Sequence, residues 1–295
     1  MKRLSRKDRM LLAFAHVFLG ALALLYVIPF IAMISASLTD EKHLDLHGYG
    51  LFPGKFSLTA FSYIFSASSS IPRGYGVSIA VTIIGTVLSL LVTSMMAYAL
   101  SRKALRYRGA ISFFVFFTML FQGGLVPYYL VVSKMLKLTD TLWVMILPFT
   151  VNAFNLILLR TYFGGVDDAI MESAKIDGAK ELRVLFSIVL PLALPGVVTI
   201  ALFYSLQYWN DWFTALLFIN RRELYPLQYL LRQIISTIEF LSSPDAKVAS
   251  QAAFAIPTKA VRMATTVVTV GPILLLYPFV QRYFIKGLAI GGVKG

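Results

Sequence analysis

Cysteine is absent from this sequence, and charged residues are scarce. Without cysteine, the chain forms no disulfide and offers no thiolate for catalysis or metal binding. Only 14% of its 295 residues are charged, whereas soluble domains hold about 25%. With 58% hydrophobic residues and a mean hydropathy of +0.76, the chain is predicted to be an integral membrane protein rather than a globular enzyme.

Motifs for catalysis and nucleotide binding are also missing. No G-x-x-x-x-G-K-[ST] sequence is present to cradle a phosphate. The histidines are scattered along the chain. His43 and His47 lie four residues apart, but in a glycine-flanked stretch, where a solvated loop is a simpler interpretation than a weak metal site. No Ser/His/Asp arrangement stands out. The sequence therefore predicts that the chain is not an enzyme and has no metal or cofactor of its own.

Six apolar stretches are long enough to cross a bilayer as helices, which takes about 20 residues. The predicted spans are 11–35, 77–100, 110–132, 142–159, 188–218 and 263–285. The fifth is too long for one straight span, and Pro191, Pro195 and the polar residues 207–211 predict kinks or a break in it. None of the six alternates like a strand of an outer-membrane barrel. The expected fold is an all-α integral membrane protein that forms one transmembrane domain over residues 1–295.

The distribution of lysine and arginine predicts the orientation of these spans. With the N-terminus inside, the inner segments are 1–10, 101–109, 160–187 and 281–295, and they hold more of the 27 basic residues than the longer outer segments do. Cytoplasmic loops carry such an excess, so both termini are expected in the cytoplasm. This clustering beside the spans also accounts for the net charge of +13 without nucleic-acid binding.

Two outer segments are long enough to hold structure of their own. Residues 36–75 are rich in aromatic side chains and predict a short helix on the outer surface. That helix either anchors the chain at the membrane interface or forms a docking surface for a partner on the outer side of the membrane. Residues 220–262 predict a folded loop with one amphipathic helix at about 227–240.

The polar inner segment 160–187 predicts a short helix that stops at a glycine. Asp167 or Asp168 is a suitable N-cap, and acidic residues favour the positive end of the helix dipole. A helix over 169–177 is marginal alone in water, and Gly178 suits the left-handed residue that ends many helices. Such a helix is stable when docked, either on a partner or on the protein's own inner face.

This segment resembles the EAA loop of ABC importer permeases, written E-A-A-x3-G-x9-I-x-L-P. The matching residues are Glu172-Ser173-Ala174, Gly178 and Ile188-x-Leu190-Pro191, with Ser173 in place of the first alanine. The resemblance extends over nearly the whole chain. The six spans, the outer aromatic segment, the Tyr208-Trp209-Asn210-Asp211 stretch and the glycine-rich end are all similar to those of carbohydrate-type permeases. It implies a type I ABC importer permease fold, similar to the smaller maltose permease and to polysaccharide-uptake permeases.

The resemblance also implies a role for the loop and a set of partners. Its short helix would be a coupling helix in a cleft of a separate ATPase subunit, which would bind ATP and magnesium. The residues at that contact would be Glu172, Ser173, Ala174, Asp177 and Gly178. The importer would contain two ATPase subunits, a second homologous permease and an extracytoplasmic solute-binding protein. This chain would be a multi-pass protein of a bacterial inner membrane, in contact with lipid.

Polar and aromatic residues in the fourth and fifth spans are candidates for the substrate path. Aromatic faces stack on sugar rings, and amides and carboxylates bind hydroxyl groups. Alternatively, these side chains hold the helices together or lie at the membrane interface. The candidates are Asn152, Asn155, Tyr204, Gln207, Tyr208, Trp209, Asn210, Asp211 and Trp212.

The predicted function is import of an oligosaccharide by alternating access, driven by ATP hydrolysis in another subunit. A small excess of basic residues in the outer segments makes an acidic cargo, such as an oligouronate or an alginate fragment, one candidate. A permease for a non-sugar solute stays open as an alternative. An ion-coupled secondary carrier is a further one, although such carriers typically show inverted repeats and buried ionisable pairs, and the sequence shows neither.

Overall fold

The computed structural model describes residues 6–66, 70–242, 259–272 and 274. These residues form helices and connecting turns, without a β-strand among them. One isolated β-bridge pairs Thr39 with Phe56. The prediction of an all-α protein is confirmed for this part of the chain. Contacts divide the chain into two units, and the prediction of a single domain over 1–295 stays a prediction.

The first unit comprises Met1–Ser69 and Gln233–Gly271. Its N-terminal part holds the long helix α1 (Arg6–Ser37) and the short helices α2 (Glu41–His47) and α3 (Thr59–Ser66). α3 is the short aromatic helix that the sequence predicts. Residues 259–272, named α14 here, form a helix whose start is capped by α2. Glu41 accepts hydrogen bonds from the backbone N–H groups of Lys259 and Ala260 at 2.8 and 2.9 Å.

The second unit comprises Ser70–Arg232 and Pro272–Gly295. Helix α13 begins in this unit and ends in the other, and it confirms the amphipathic helix predicted at about 227–240. The α-helices are α4 (Ser70–Ser101), α5 (Arg108–Leu120), α6 (Leu125–Leu130), α7 (Ala153–Gly164), α8 (Asp168–Ile176), α9 (Glu181–Val184), α10 (Leu190–Leu192), α11 (Leu194–Asn210), α12 (Phe213–Phe218) and α13 (Leu227–Ser242). Short 3₁₀ helices occupy Leu142–Met145, Leu147–Phe149 and Arg222–Leu224, and π-helices occupy Val131–Met135 and Leu185–Val189.

Two described helices are long and apolar enough to cross a membrane, Met10–Ser37 and Ile71–Ser101. Three further segments are long enough to cross a membrane only if each is counted as a pair of helices joined by a sharp bend. The pairs are Arg108–Leu120 with Leu125–Met135 at 112°, Leu142–Phe149 with Ala153–Gly164 at 52°, and Glu181–Leu192 with Leu194–Asn210 at 90°. Most of the predicted sixth span, 263–285, lies outside the described residues.

The predicted spans 110–132, 142–159 and 188–218 are therefore not continuous helices, and local sequence explains each break. The third is interrupted at the glycines before α6, where Gly124 has a φ of +85°. The fourth is interrupted ahead of Asn152, which caps the start of α7. The fifth breaks at Ala193, between Pro191 and Pro195, as predicted. A proline has no N–H to donate and its ring clashes with the carbonyl four residues earlier.

Helices α4 and α11 form the main packing contact of the second unit. Gly85 of α4 faces the ring of Tyr208, and a Cβ atom there would lie 2.7 Å from that ring. Two hydroxyl pairs also join the helices: Ser89 with Tyr208, and Thr93 with Tyr204, each at 2.7 Å. The small residues of α4 thus let the backbones approach closely, and the hydroxyl pairs fix their register.

A carboxylate clasp joins the segment between the third and fourth predicted spans to the end of α12. Asp140, which has a φ of +58°, accepts hydrogen bonds from the backbone N–H groups of Asn220 and Arg221 at 2.6 and 3.0 Å. These hydrogen bonds, first that of Asn220, hold the pKa of Asp140 below its ordinary value of 3.8. The clasp leaves Arg221 and Arg222 exposed beside it.

Candidate coupling and transport site

Helix α8 begins as the sequence predicts. Asp167 is the N-cap, and its side chain accepts a hydrogen bond from the backbone N–H of Ala169 at 3.0 Å. Asp168 occupies the first turn, where a negative charge suits the helix dipole. The side chains of Asp167 and Asp168 therefore explain why α8 begins at this position.

The other end of α8 is a Schellman motif. Gly178 has a φ of +84°, a left-handed conformation that an L side chain rarely adopts. The N–H of Ala179 donates to the carbonyl of Ala174 at 2.9 Å, and the N–H of Gly178 donates to that of Lys175 at 3.0 Å. These are the two hydrogen bonds that define the motif. The glycine stop is confirmed.

The two faces of α8 differ in what they contact. Met171 is buried and Ala174 is packed on the core, so these residues attach the helix to its own chain. Ile170 is 45% exposed and Ile176 is 87% exposed. Glu172, Ser173 and Asp177 are exposed, and the Glu172 side chain has no partner among the described residues. α8 thus rests on its own chain and presents a separate, partly apolar outer surface.

An ion-pair cluster fixes the first turn of α8 to the end of α4. Asp168 pairs with Arg102 at 3.2 Å and with Lys103 at 3.1 Å. The hydrogen bond from Lys103, with its charge, holds the pKa of Asp168 below its usual range. Arg102 also donates to the Met171 sulfur at 2.9 Å.

A second polar chain joins the last turn of α8 to the same part of α4. Lys175 pairs with one carboxylate oxygen of Glu181, and the hydroxyl of Tyr98 donates to the other. Sequence reasoning missed Tyr98, Arg102 and Glu181. Tyr98 lies within the predicted span 77–100 and Glu181 within the inner segment 160–187, and nothing in the sequence indicates that these two residues, 83 positions apart, meet.

Two candidates for the substrate path, Tyr204 and Tyr208, are buried within the helix bundle. The Tyr204 hydroxyl contacts Thr93 and accepts from the backbone N–H of Asn152 at 3.1 Å. The Tyr208 hydroxyl contacts Ser89 and donates to the carbonyl of Ile146 at 3.0 Å. These contacts bind α4, α11 and the start of the fourth span together, which favours the structural interpretation of both tyrosines.

The asparagine candidates are also engaged within the chain. The Asn152 side chain caps α7 by accepting from the backbone N–H of Asn155 at 3.1 Å, and Asn155 is buried. Asn210 donates to the carbonyl of Leu206 on its own helix at 2.8 Å. The structure therefore gives the side-chain amides of Asn152 and Asn210 roles in helix geometry.

The remaining candidates lie around the end of α11. Asp211 accepts from the backbone N–H of Thr214 at 3.1 Å, while its other oxygen is buried without a hydrogen-bond partner in the described part of the chain. The ring of Trp209 lies 6.4 Å from that of Tyr75, and the guanidinium of Arg232 lies 5.4 Å from the ring of Trp212.

Gln207 is the remaining candidate with a side-chain amide. It is half-buried, and within the described residues its side chain has no hydrogen-bond partner. No group of three or more His, Cys, Asp or Glu side chains able to hold a metal ion occurs among the described residues.

Comparison with known proteins identifies the class. Residues 108–290 match the family described as binding-protein-dependent transport system inner membrane component. The chain is 43% identical to the polygalacturonan/rhamnogalacturonan transport system permease of Bacillus subtilis, over 98% of this chain and 100% of the relative. It is 30% identical to the arabinooligosaccharides transport system permease of Halalkalibacterium halodurans, over 93% of each chain.

A solved structure is similar over almost the full length. It is one chain of a bacterial ABC transporter involved in the import of the acidic polysaccharide alginate, with a TM-score of 0.79 and 30% identity, covering 96% of this chain and 100% of that chain. The protein belongs to the family of inner membrane components of binding-protein-dependent transport systems. Within that family it is a permease subunit of an ABC importer, a transport component rather than an enzyme, which works with an ATPase and a solute-binding protein.

Proposed function

We propose that this permease imports an acidic oligosaccharide, such as an oligogalacturonate or another oligouronate. The observation that carries the proposal is the 43% identity, over the full length of the relative, to a polygalacturonan/rhamnogalacturonan permease. Polygalacturonan and alginate share one chemical property, since both are chains of uronic acids with a carboxylate on each sugar. The relative that is 43% identical and the similar solved structure thus both belong to systems for acidic polysaccharides, whereas the arabinooligosaccharides relative is 30% identical.

The charge of the chain supports an anionic cargo. The predicted outer segments carry 11 Lys and Arg residues against 7 Asp and Glu. Arg221 and Arg222 are exposed beside the Asp140 clasp, in a segment assigned to the outer side by the predicted orientation. Exposed cations raise the local concentration of anions, an effect that falls steeply with ionic strength.

The topology proposed is six spans with both termini in the cytoplasm, in a bacterial inner membrane. It counts each bent pair as one span and places the sixth at 263–285, whose first part is the described helix α14. Broken helices within a membrane occur where neighbouring helices satisfy the freed backbone groups. The excess of basic residues on the segments assigned to the inside supports the orientation.

Helix α8 is the coupling helix in this proposal. Its outer surface, formed by Glu172, Ser173 and Ile176, would contact a separate ATPase subunit, whereas Ala174 would support this contact from the side that packs on its own chain. Asp177 and Gly178 would form the turn that lets the chain leave the groove. The partner ATPases, two per importer, would bind ATP and magnesium, and a second permease would complete the membrane path. Support comes from a short, two-faced helix whose apolar outer residue is 87% exposed.

The substrate path is proposed to run beside the end of α11. Gln207 has an unengaged amide, Asp211 has an unpartnered oxygen, and Trp209 and Trp212 provide aromatic faces. Sugars offer hydroxyl groups for the first two and C–H faces for the rings. Tyr204, Tyr208, Asn152 and Asn210 would affect this path only through the helix positions that they fix, and the buried Asn155 would pack beside them.

The test is reconstitution of the permease with its partner permease, ATPase and binding protein in lipid vesicles. Oligogalacturonates should stimulate ATP hydrolysis and be accumulated, whereas neutral arabino-oligosaccharides of equal length should do neither. Reduction of the carboxylates to alcohols gives a matched neutral control of the same backbone. Equal uptake of the charged and the reduced oligosaccharide would refute an acidic specificity.

A further inference from the structure

We propose that Tyr98, Arg102 and Glu181 are positioning residues that tie both ends of α8 to the inner end of α4. Movement of α8 is then passed directly to α4, and not only along the chain. This inference rests on the proposed function of α8 as the contact with the ATPase.

The first tie holds the N-terminal turn of α8. One guanidinium nitrogen of Arg102 contacts both the carboxylate of Asp168 and the sulfur of Met171. The Arg102 side chain is only 17% exposed. A guanidinium held between two partners in this way fixes direction as well as distance, which a single flexible ion pair does not.

The second tie holds the C-terminal turn. Glu181 receives Lys175 on one oxygen and the hydroxyl of Tyr98 on the other. The pair with Lys175 is exposed, and exposed ion pairs contribute little by themselves. The hydrogen bond from the buried Tyr98 is the stronger part, because loss of Glu181 would leave a buried hydroxyl without that partner.

The two ties leave α4 from the same side. Arg102 directly follows the last residue of α4, four positions after Tyr98, and its guanidinium lies 5.9 Å from the centre of the Tyr98 ring. Further along, α4 is joined to α11 through the hydroxyl pairs of Ser89 and Thr93. The ties therefore connect α8 to the centre of the bundle through one straight helix.

The covalent route from α8 is different. It runs through α9 and then around the 90° bend before α11. A bend at a break in the helix absorbs movement, since no continuous ladder of hydrogen bonds crosses it. The tie to α4 avoids this bend, which is why we assign it the larger share of coupling.

The experiment measures sugar accumulated per ATP hydrolysed in vesicles that contain the complete importer. Tyr98→Phe removes only the hydroxyl, and Glu181→Gln removes the charge. Each should lower this ratio, Tyr98→Phe by about threefold to tenfold because it loses one hydrogen bond, and Glu181→Gln by less because its neutral amide oxygen accepts more weakly than a carboxylate. The double variant should be no worse than the stronger single one, because both act through one contact. Tyr107→Phe and Lys180→Gln are matched controls on exposed residues and should leave the ratio unchanged.

A cross-link separates this inference from the proposed function on which it rests. Because the chain has no native cysteine, Ile176→Cys supplies its only thiol, to be cross-linked to a cysteine on the ATPase. Cross-linking in every variant, together with a lowered ratio for Tyr98→Phe and Glu181→Gln, supports the ties. Cross-linking with ratios equal to the controls, or strictly additive losses, overturns the ties alone. No cross-link in any background overturns the role of α8 and the inference with it.

Discussion

Substitutions at Gly178 distinguish two possible requirements at the end of α8, a left-handed backbone conformation and the absence of a bulky side chain. The φ of +84° at this residue is unfavourable for alanine by about 1–2 kcal/mol. That free energy corresponds to a factor of about 5 to 30 between the correctly capped and the uncapped helix end. Asparagine is enriched among non-glycine residues with positive φ, so its cost is smaller.

Steric clashes within the chain do not add to the free energy that a substitution at Gly178 costs. A Cβ atom built at Gly178 meets nothing within 4 Å. We therefore expect ATPase activity stimulated by the loaded binding protein to fall in the order Gly, Asn, Ala at position 178, with protein level unchanged. Gly164→Ala is the matched control, because Gly164 has open space around it and lies on a helix at ordinary φ.

The opposite order would refute the conformational reasoning. If alanine preserves coupled ATP hydrolysis and asparagine abolishes it, bulk in a partner groove decides the outcome, not the left-handed backbone. Circular dichroism in detergent and a protease-resistance assay of the loop provide the second measurement. A coupling loss without any change in protection of 168–179 would give the same refutation.

Three further predictions test the bundle and its outer face. Gly85→Ala should lower the unfolding temperature in detergent, through a clash that typically costs about 1–3 kcal/mol, whereas Gly76→Ala on the same helix should not, since its Cβ meets nothing within 4 Å. Asp140→Asn keeps a residue that tolerates positive φ but loses the carboxylate. Because the folded pKa of Asp140 lies below its ordinary 3.8, the stability it adds is present above that pH and is lost as the pH falls further, so variant and wild type should differ at pH 7 and converge below 3.8. Asp211→Asn should abolish uptake at normal protein level if Asp211 lines the path; loss of the protein itself would indicate a structural role.

Local signals account for what could be predicted from the sequence. The N-cap at Asp167, the glycine stop at Gly178 and the break between Pro191 and Pro195 each depend on a few neighbouring residues, and all three are confirmed. The motif around Glu172 also led to the right family, because its spacing is long and specific.

Contacts between distant parts of the chain could not be predicted. The hydroxyl groups of Tyr204 and Tyr208 were candidates for sugar binding, yet both are engaged by α4. A tyrosine that faces a sugar and one that faces a serine on another helix look alike in a sequence. The 112° bend before α6 was likewise hidden, since two adjacent glycines permit either a bend or close helix packing without deciding between them.

The cap on α14 has a consequence for how the chain is made. Glu41 follows the first span, whereas the N–H groups that it accepts belong to residues 259 and 260. During synthesis the ribosome must therefore add more than 200 residues before this contact can form. A chain truncated before residue 259 would insert its early spans yet never complete its first unit. The packing around Glu41 thus depends on synthesis of a segment more than 200 residues further along the chain.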